Sequence, residues 1–287
     1  MKHIKFFSAL LCLVIVNASC KRDKVSDPPK NDIHLDSTSA AIGRHIVDKD
    51  GKTLYFFSND ANGQSNCSGG CLTAWPVFYA DSATATFSSE LSASDFKTIV
   101  LASGLKQTTY KGWPLYYYAP NGVQEQAGQT TGEGVGNVWF VAKPDYTIMI
   151  ANYQLTGADG VNYLGDYTPG DGRTSYLCDG NGNTLYGFAK DSAYKNKFTK
   201  PDFSNNSNWP IYENEKITVP STLDKSLFVV TDFNGRKQLT YNGWPLYSFG
   251  GDNSTRGMNK GITVPPTQPV GSIWWVVKKD VVAAPHP

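Results

Sequence analysis

This chain repeats itself, and a fold for it must accommodate the same stretch twice. Residues 106–118 read KQTTYKGWPLYYY and residues 237–249 read KQLTYNGWPLYSF, nine of thirteen identical at an offset of 131. The stretches GKTLYFFSND (51–60) and GNTLYGFAKD (182–191) recur at the same offset. Trp75-Pro76 and Trp209-Pro210 follow at an offset of 134, and VWFVAK (138–143) and IWWVVK (273–278) at 135. The body is therefore one unit used twice.

A fainter repeat lies inside each unit. Tyr55, Phe57 and Asp60 have the spacing Y-x-F-x-x-D, as do Tyr186, Phe188 and Asp191, and Tyr247, Phe249 and Asp252; the fourth copy reads Tyr116, Tyr118 and Asn121. At strand periodicity the tyrosine and the aromatic two residues on share one face of a sheet, and the acid falls just past the strand end. There it can accept hydrogen bonds from the amides of the next turn. The Asn121 copy keeps the shape of that acceptor without its charge, so these positions read as structural caps rather than catalytic bases or metal ligands.

Composition sets the class. Thirty-seven aromatics, 27 glycines and 16 prolines in 287 residues disfavour long helices and favour short strands with tight turns. The expected fold is all-β: two tandem antiparallel units of sandwich or open-barrel type, residues 36–145 and 171–280, joined by a connector over 146–170 and followed by a tail at 281–287. Asp48-Lys49-Asp50-Gly51 and Asp179-Gly180-Asn181-Gly182 resemble the start of a calcium loop, but Asn59 and Lys190 stand where a later bidentate Glu would be needed. Each lies between strand-like runs and reads as a hairpin turn. Cys178 takes the place of Val47 in the first unit and reads as a buried apolar strand residue.

The amino terminus carries Lys2, His3 and Lys5, an apolar stretch from Phe6 to Val16, and small residues before Cys20. Eleven residues are too few to span a bilayer. Residues 1–19 read as a lipoprotein-type signal peptide, Cys20 as the acylated residue, and 20–35 as a polar tether. In an oxidising envelope Cys67 and Cys71, around Ser68-Gly69-Gly70, read first as a disulfide; no second Cys or His cluster exists to complete a zinc site.

Together the signal, the Y-x-F-x-x-D repeats, the Cys67 to Cys71 segment leading to Trp75-Pro76, and the TYxGWPLY stretches (Thr109 to Tyr116, Thr240 to Tyr247) resemble the bacterial secreted-repeat lipoproteins. The resemblance covers about residues 40–145 and 171–280. It implies a lipid-anchored protein of the bacterial cell envelope, at the outer membrane, with no established role and so no catalytic residues to carry over. The second unit departs from the pattern: Ser204 to Asn208 precede Trp209-Pro210 without cysteines.

The side chains argue against familiar chemistry. With 26 basic against 25 acidic residues there is no footprint for nucleic acid. Of four histidines only His45 lies within a unit, and its counterpart is Tyr176, so a hydrolase triad would have to rely on His45 alone. No cofactor and no metal are expected. Two readings survive. The first is a non-catalytic binding or scaffold module meeting an envelope protein or glycan through aromatics, with Trp113 and Trp244 as candidates set against plain core packing. The second is an envelope redox accessory cycling Cys67 and Cys71.

Overall fold

The computed structural model describes residues 32–39 and 42–287. The signal peptide, Cys20 and most of the tether lie outside them. The turns explain the register of the repeated stretches. In the first unit β1 (Ile33–Asp36) pairs antiparallel with β2 (His45–Asp48). The chain then turns at Gly51 into β3 (Tyr55–Phe57). A five-residue helix α1 (Gly70–Ala74) precedes the hairpin of β4 (Phe96–Val100) and β5 (Lys106–Tyr110), which turns into β6 (Trp113–Pro114). The unit closes where β7 (Trp139–Val141) pairs with β3.

The second unit repeats this strand order without the helix and with one added short strand. Long strand β8 (Ile148–Thr156) pairs with short β9 (Asn162–Tyr163) and, along seven residues, with β10 (Arg173–Asp179). Then come β11 (Tyr186–Phe188), the hairpin of β12 (Phe228–Phe233) and β13 (Arg236–Tyr241), β14 (Trp244–Pro245), and β15 (Trp274–Val276), which pairs with β11. Among the described residues the result is six small antiparallel sheets of two or three strands. The all-β, tandem-unit expectation holds.

Both TYxGWP stretches make their corner the same way. Lys111-Gly112 have φ 48° and 79°, and Asn242-Gly243 have φ 47° and 84°. Two consecutive positive φ values define the hairpin turn whose twist matches its strands, and glycine takes the second at no steric cost. The turns at Asp48 and Asp179 are hairpin turns too, closed by the bridges Val47 to Thr53 and Cys178 to Thr184. In each, the aspartate Oδ1 accepts two amides, from Asp50 and Lys52 or from Asn181 and Asn183.

Two boundaries differ from the sequence-based expectation. Residues 148–156, assigned to the connector, form the longest strand, and Ile148 faces Asp179 as Ile33 faces Asp48. Ile33 to Leu35, assigned to the tether, are likewise strand residues. The strands lie outside the strict offset because the loops that follow them differ in length. The units are also not separate bodies. One buried cluster runs from Ile33, Phe56 and Trp113 through Ile148 and Leu177 to Tyr247 and Val277, and residues 31–287 form one compact whole.

Candidate functional site: paired aromatic stacks and the disulfide loop

The Y-x-F-x-x-D motifs work in pairs. In the first unit Phe57, Trp139, Trp75 and Tyr118 stack in a column, with ring centroids 3.9, 3.8 and 4.3 Å apart and the two indoles inclined by 3°. In the second, Phe188, Trp274, Trp209 and Phe249 repeat the column at 4.4, 3.6 and 4.4 Å, the indoles inclined by 6°. The outer rings come from the third motif position; the inner ones come from the Trp-Pro pairs and from β7 or β15. Each motif tyrosine stands edge-on to an indole: Tyr55 to Trp75, Tyr116 to Trp139, Tyr186 to Trp209 and Tyr247 to Trp274, at 5.1 to 5.4 Å. Edge-on and offset contacts of this kind contribute about 0.5–1.5 kcal/mol each beyond the area they bury.

The tyrosine hydroxyls tie the two motifs of a unit together. Tyr247 donates to Asp191 at 2.7 Å and Tyr186 to Asp252 at 2.5 Å, so each motif's tyrosine reaches the other's acid. In the first unit Tyr116 donates to Asp60 at 2.6 Å, but Tyr55 donates to Glu125, also at 2.6 Å, and not to Asn121. Glu125 therefore supplies the carboxylate that the fourth motif copy lacks, four residues further along. The acids also accept backbone amides: Asn66 on Asp60, Lys197 on Asp191, Lys260 on Asp252 and Thr131 on Glu125. The capping role expected from the motif is present at Asp60, Asp191 and Asp252 but not at the exposed Asn121, because Glu125 takes its place, and the tyrosine partner is an addition that motif spacing alone does not show.

Burial dominates the electrostatics here. It pushes the carboxyls of Asp60 and Asp191 up to about 7 against the pull of their tyrosine and amide donors, and raises Asp252 as well. It also holds the four tyrosine hydroxyls far above their ordinary value, chiefly by desolvation and then by the facing acids. These phenols keep their protons and serve as donors.

Cys67 and Cys71 form a disulfide with Cα atoms 5.4 Å apart, spanning the start of α1. Cys67 is buried in the cluster that holds the first column. In the second unit Phe198 follows the acid-capping residue as Cys67 does, and its ring stands edge-on to Trp274 at 4.8 Å. Asparagines hold that loop in place of the covalent bond, Asn205 between Lys200 and Phe198 and Asn206 on the amide of Ile211. Cys178 is a free, fully buried thiol on β10.

The candidate binding tryptophans are not surface platforms. Trp113 is fully buried; its indole donates to the Gly180 carbonyl at 3.0 Å, and the Arg256 guanidinium lies 4.3 Å over its ring. Burial lowers Arg256 to about 10, and its Nη1 donates to the carbonyl of Lys111 at 2.8 Å. Trp244 is buried too, donating to the Val282 carbonyl at 2.8 Å and meeting Trp275 edge-on. The Lys111-Gly112 and Asn242-Gly243 turns fold each indole inward, where ring and N–H both find partners. Residues 281–285 thus serve Trp244 as the second unit serves Trp113, adding Ala284 to Asn242 and Ala193 to Pro285 hydrogen bonds.

Other candidate chemistry is engaged as well. The buried His45 ring lies 2.9 Å from the Gly43 carbonyl and 3.3 Å from the Thr53 hydroxyl. Among the described residues no group of three or more His, Cys, Asp or Glu could hold a metal ion, and no helix is long and apolar enough to cross a membrane. Motif reading missed Glu125 and Arg256, which occupy equal positions at the 131 offset and carry opposite charges.

Residues 37–79 and 97–143 each match the family described as a secreted repeat of unknown function. The two matched segments are the halves of the first unit, each carrying one tyrosine motif, so the family's repeat is the inner one and two copies build a unit. No curated protein and no solved structure matches the chain.

Proposed function

We propose that this chain, built on a secreted repeat, is a non-catalytic binding or scaffold module held at the bacterial cell envelope by a lipid on Cys20. The observation that carries the reading is the use of the recurrent polar groups. Tyr55, Tyr116, Tyr186 and Tyr247 are each bonded to a buried carboxylate within their own unit, so the motif that defines the repeat builds the fold. A nucleophile needs a base within reach and an approachable reacting position, and these acids are buried and already engaged by a tyrosine hydroxyl and a backbone amide each. What the repeat offers is a stiff body with variable loops, the ordinary design of a recognition scaffold.

The anchor follows from the sequence before Asp32, and the secreted nature of the repeat supports it. Replacing Cys20 by Ser should move the protein from the membrane fraction to the soluble one; equal retention would require another anchor. For the binding role, immobilised protein should retain one solubilised envelope protein or glycan saturably and competitively. The absence of any saturable component would overturn it.

A further inference from the structure

The two units close the gap between the disulfide-type loop and the tip of the central hairpin in different ways, and the difference points to a ligand. In the second unit Phe203 fills this gap. Its ring stands edge-on to Phe233 of the hairpin tip at 5.8 Å, and the Arg236 guanidinium lies 4.6 Å over it. The Asn234 side chain also reaches the Pro201 carbonyl at 3.5 Å. Phe203 holds φ 58°, a left-handed conformation that a bulky side chain adopts only where its contacts offset the strain.

The register identifies the same place in the first unit. Leu101 and Leu105 are bonded across the β4–β5 tip as Phe233 and Arg236 are across the β12–β13 tip. The loop opposite carries the Cys67–Cys71 bridge and no aromatic side chain. A cleft of about 390 Å³ remains, walled by Cys67, Leu72, Ile99 and Leu101, with Ser65 and Ser103 among its polar members beside Gln64 and Ser68. This is within the range of about 300–1,000 Å³ usual for ligand sites. The Ser65 hydroxyl is 2.8 Å from that of Tyr116, which ties the polar side of the cleft to the buried Asp60 pair.

We propose that this cleft binds an aromatic side chain presented on a peptide segment of a partner, occupying the first unit as Phe203 occupies the second. The proposal rests on the binding reading above and names its contact. A peptide is favoured over a free ring because in the second unit the segment engages by its backbone as well, through the Pro201 carbonyl, and Ser103 offers a donor at the corresponding tip.

The test is a titration of the ¹⁵N-labelled protein with a peptide of the sequence of residues 199–207, TKPDFSNNS. Saturable shifts are expected at the amides of Ser65–Leu72 and Ile99–Ser103, with none at Phe228–Arg236. Leu101→Asp should abolish them, and so should replacing the peptide's Phe by Ala, a control that does not depend on the folding of a variant. Phe203→Ala in the protein should open the second gap and add a second set of shifts at Thr231–Arg236. No saturable shift, shifts that survive either loss-of-ring control, or equal occupancy by free phenol would overturn the proposal. An envelope component still retained by the Leu101→Asp protein would overturn the cleft while leaving the binding role standing.

Discussion

Neutralising Asp191 should remove a pH dependence that the wild-type fold carries. Burial raises this carboxyl from 3.8 to about 7, against the opposing pull of the Lys197 amide and the Tyr247 hydroxyl. A group whose folded value lies above its unfolded value holds its proton more tightly in the folded state. Its contribution to stability is therefore full below pH 4, falls as pH rises, and is lost above pH 7. The slope approaches 1.4 kcal/mol per pH unit, or about 4 kcal/mol across the window. Asp60 has the same shift for the same leading reason and should contribute a similar slope. Urea unfolding at pH 5, 6, 7 and 8 should show wild-type stability falling through this range, and Asp191→Asn should remove a clear part of the fall, Asp60 and Asp252 supplying the rest. An asparagine can still accept the Lys197 amide, and the stability of the variant relative to wild type should rise with pH by up to about 1.4 kcal/mol per unit until pH 7. Stability that is flat or rises with pH in the wild type, or an unchanged slope in Asp191→Asn, would refute the reasoning.

Further expectations follow from named contacts. Glu125→Ala should cost about 1–3 kcal/mol by stranding the buried Tyr55 hydroxyl, whereas Asn121→Gly, which suits the left-handed φ of 59° there, should cost under about 0.5 kcal/mol, and denaturation midpoints separate the two. Cys67→Ser with Cys71→Ser should lower stability by about 2 kcal/mol, the chain-entropy value for so short a loop, measured against the oxidised protein. Trp113→Ala should cost about 3–5 kcal/mol by leaving a cavity where the units meet. Arg256→Met should keep apolar contact with Trp113 but lose the Lys111 carbonyl bond, and hydrogen exchange should quicken at Gly112 and Gly182, which pack on the guanidinium.

Much of this architecture is legible in the sequence because it is written twice. The two-unit plan, the hairpins, the disulfide and the structural nature of the motif all rest on local signals such as x-Gly turns and period-two aromatics. What was not legible depends on contacts between distant segments. Tyr116 meets Asp60 across 56 residues and Tyr186 meets Asp252 across 66, and no spacing rule joins them. The substitution of Glu125 for Asn121 is hidden for the same reason: a longer acid four residues on reaches the same hydroxyl, and only space reveals it. Strand β8 escaped because its counterpart, β1, is four residues long and lies before the recognisable repeat. The burial of Trp113 and Trp244 could be weighed but not settled from a sequence, since a recurring indole serves equally as platform or core.

The stacked indoles give each unit an optical signature of its own. Two indole planes held nearly parallel at 3.8 Å in one unit and 3.6 Å in the other bring their in-plane transition dipoles close enough to couple. Such coupling persists only while both rings keep their separation and tilt, so loss of the column splits it before the chain need unfold elsewhere. Phe57→Leu and Phe188→Leu would loosen one column at a time, making the near-ultraviolet circular dichroism of this protein a readout of which half has opened.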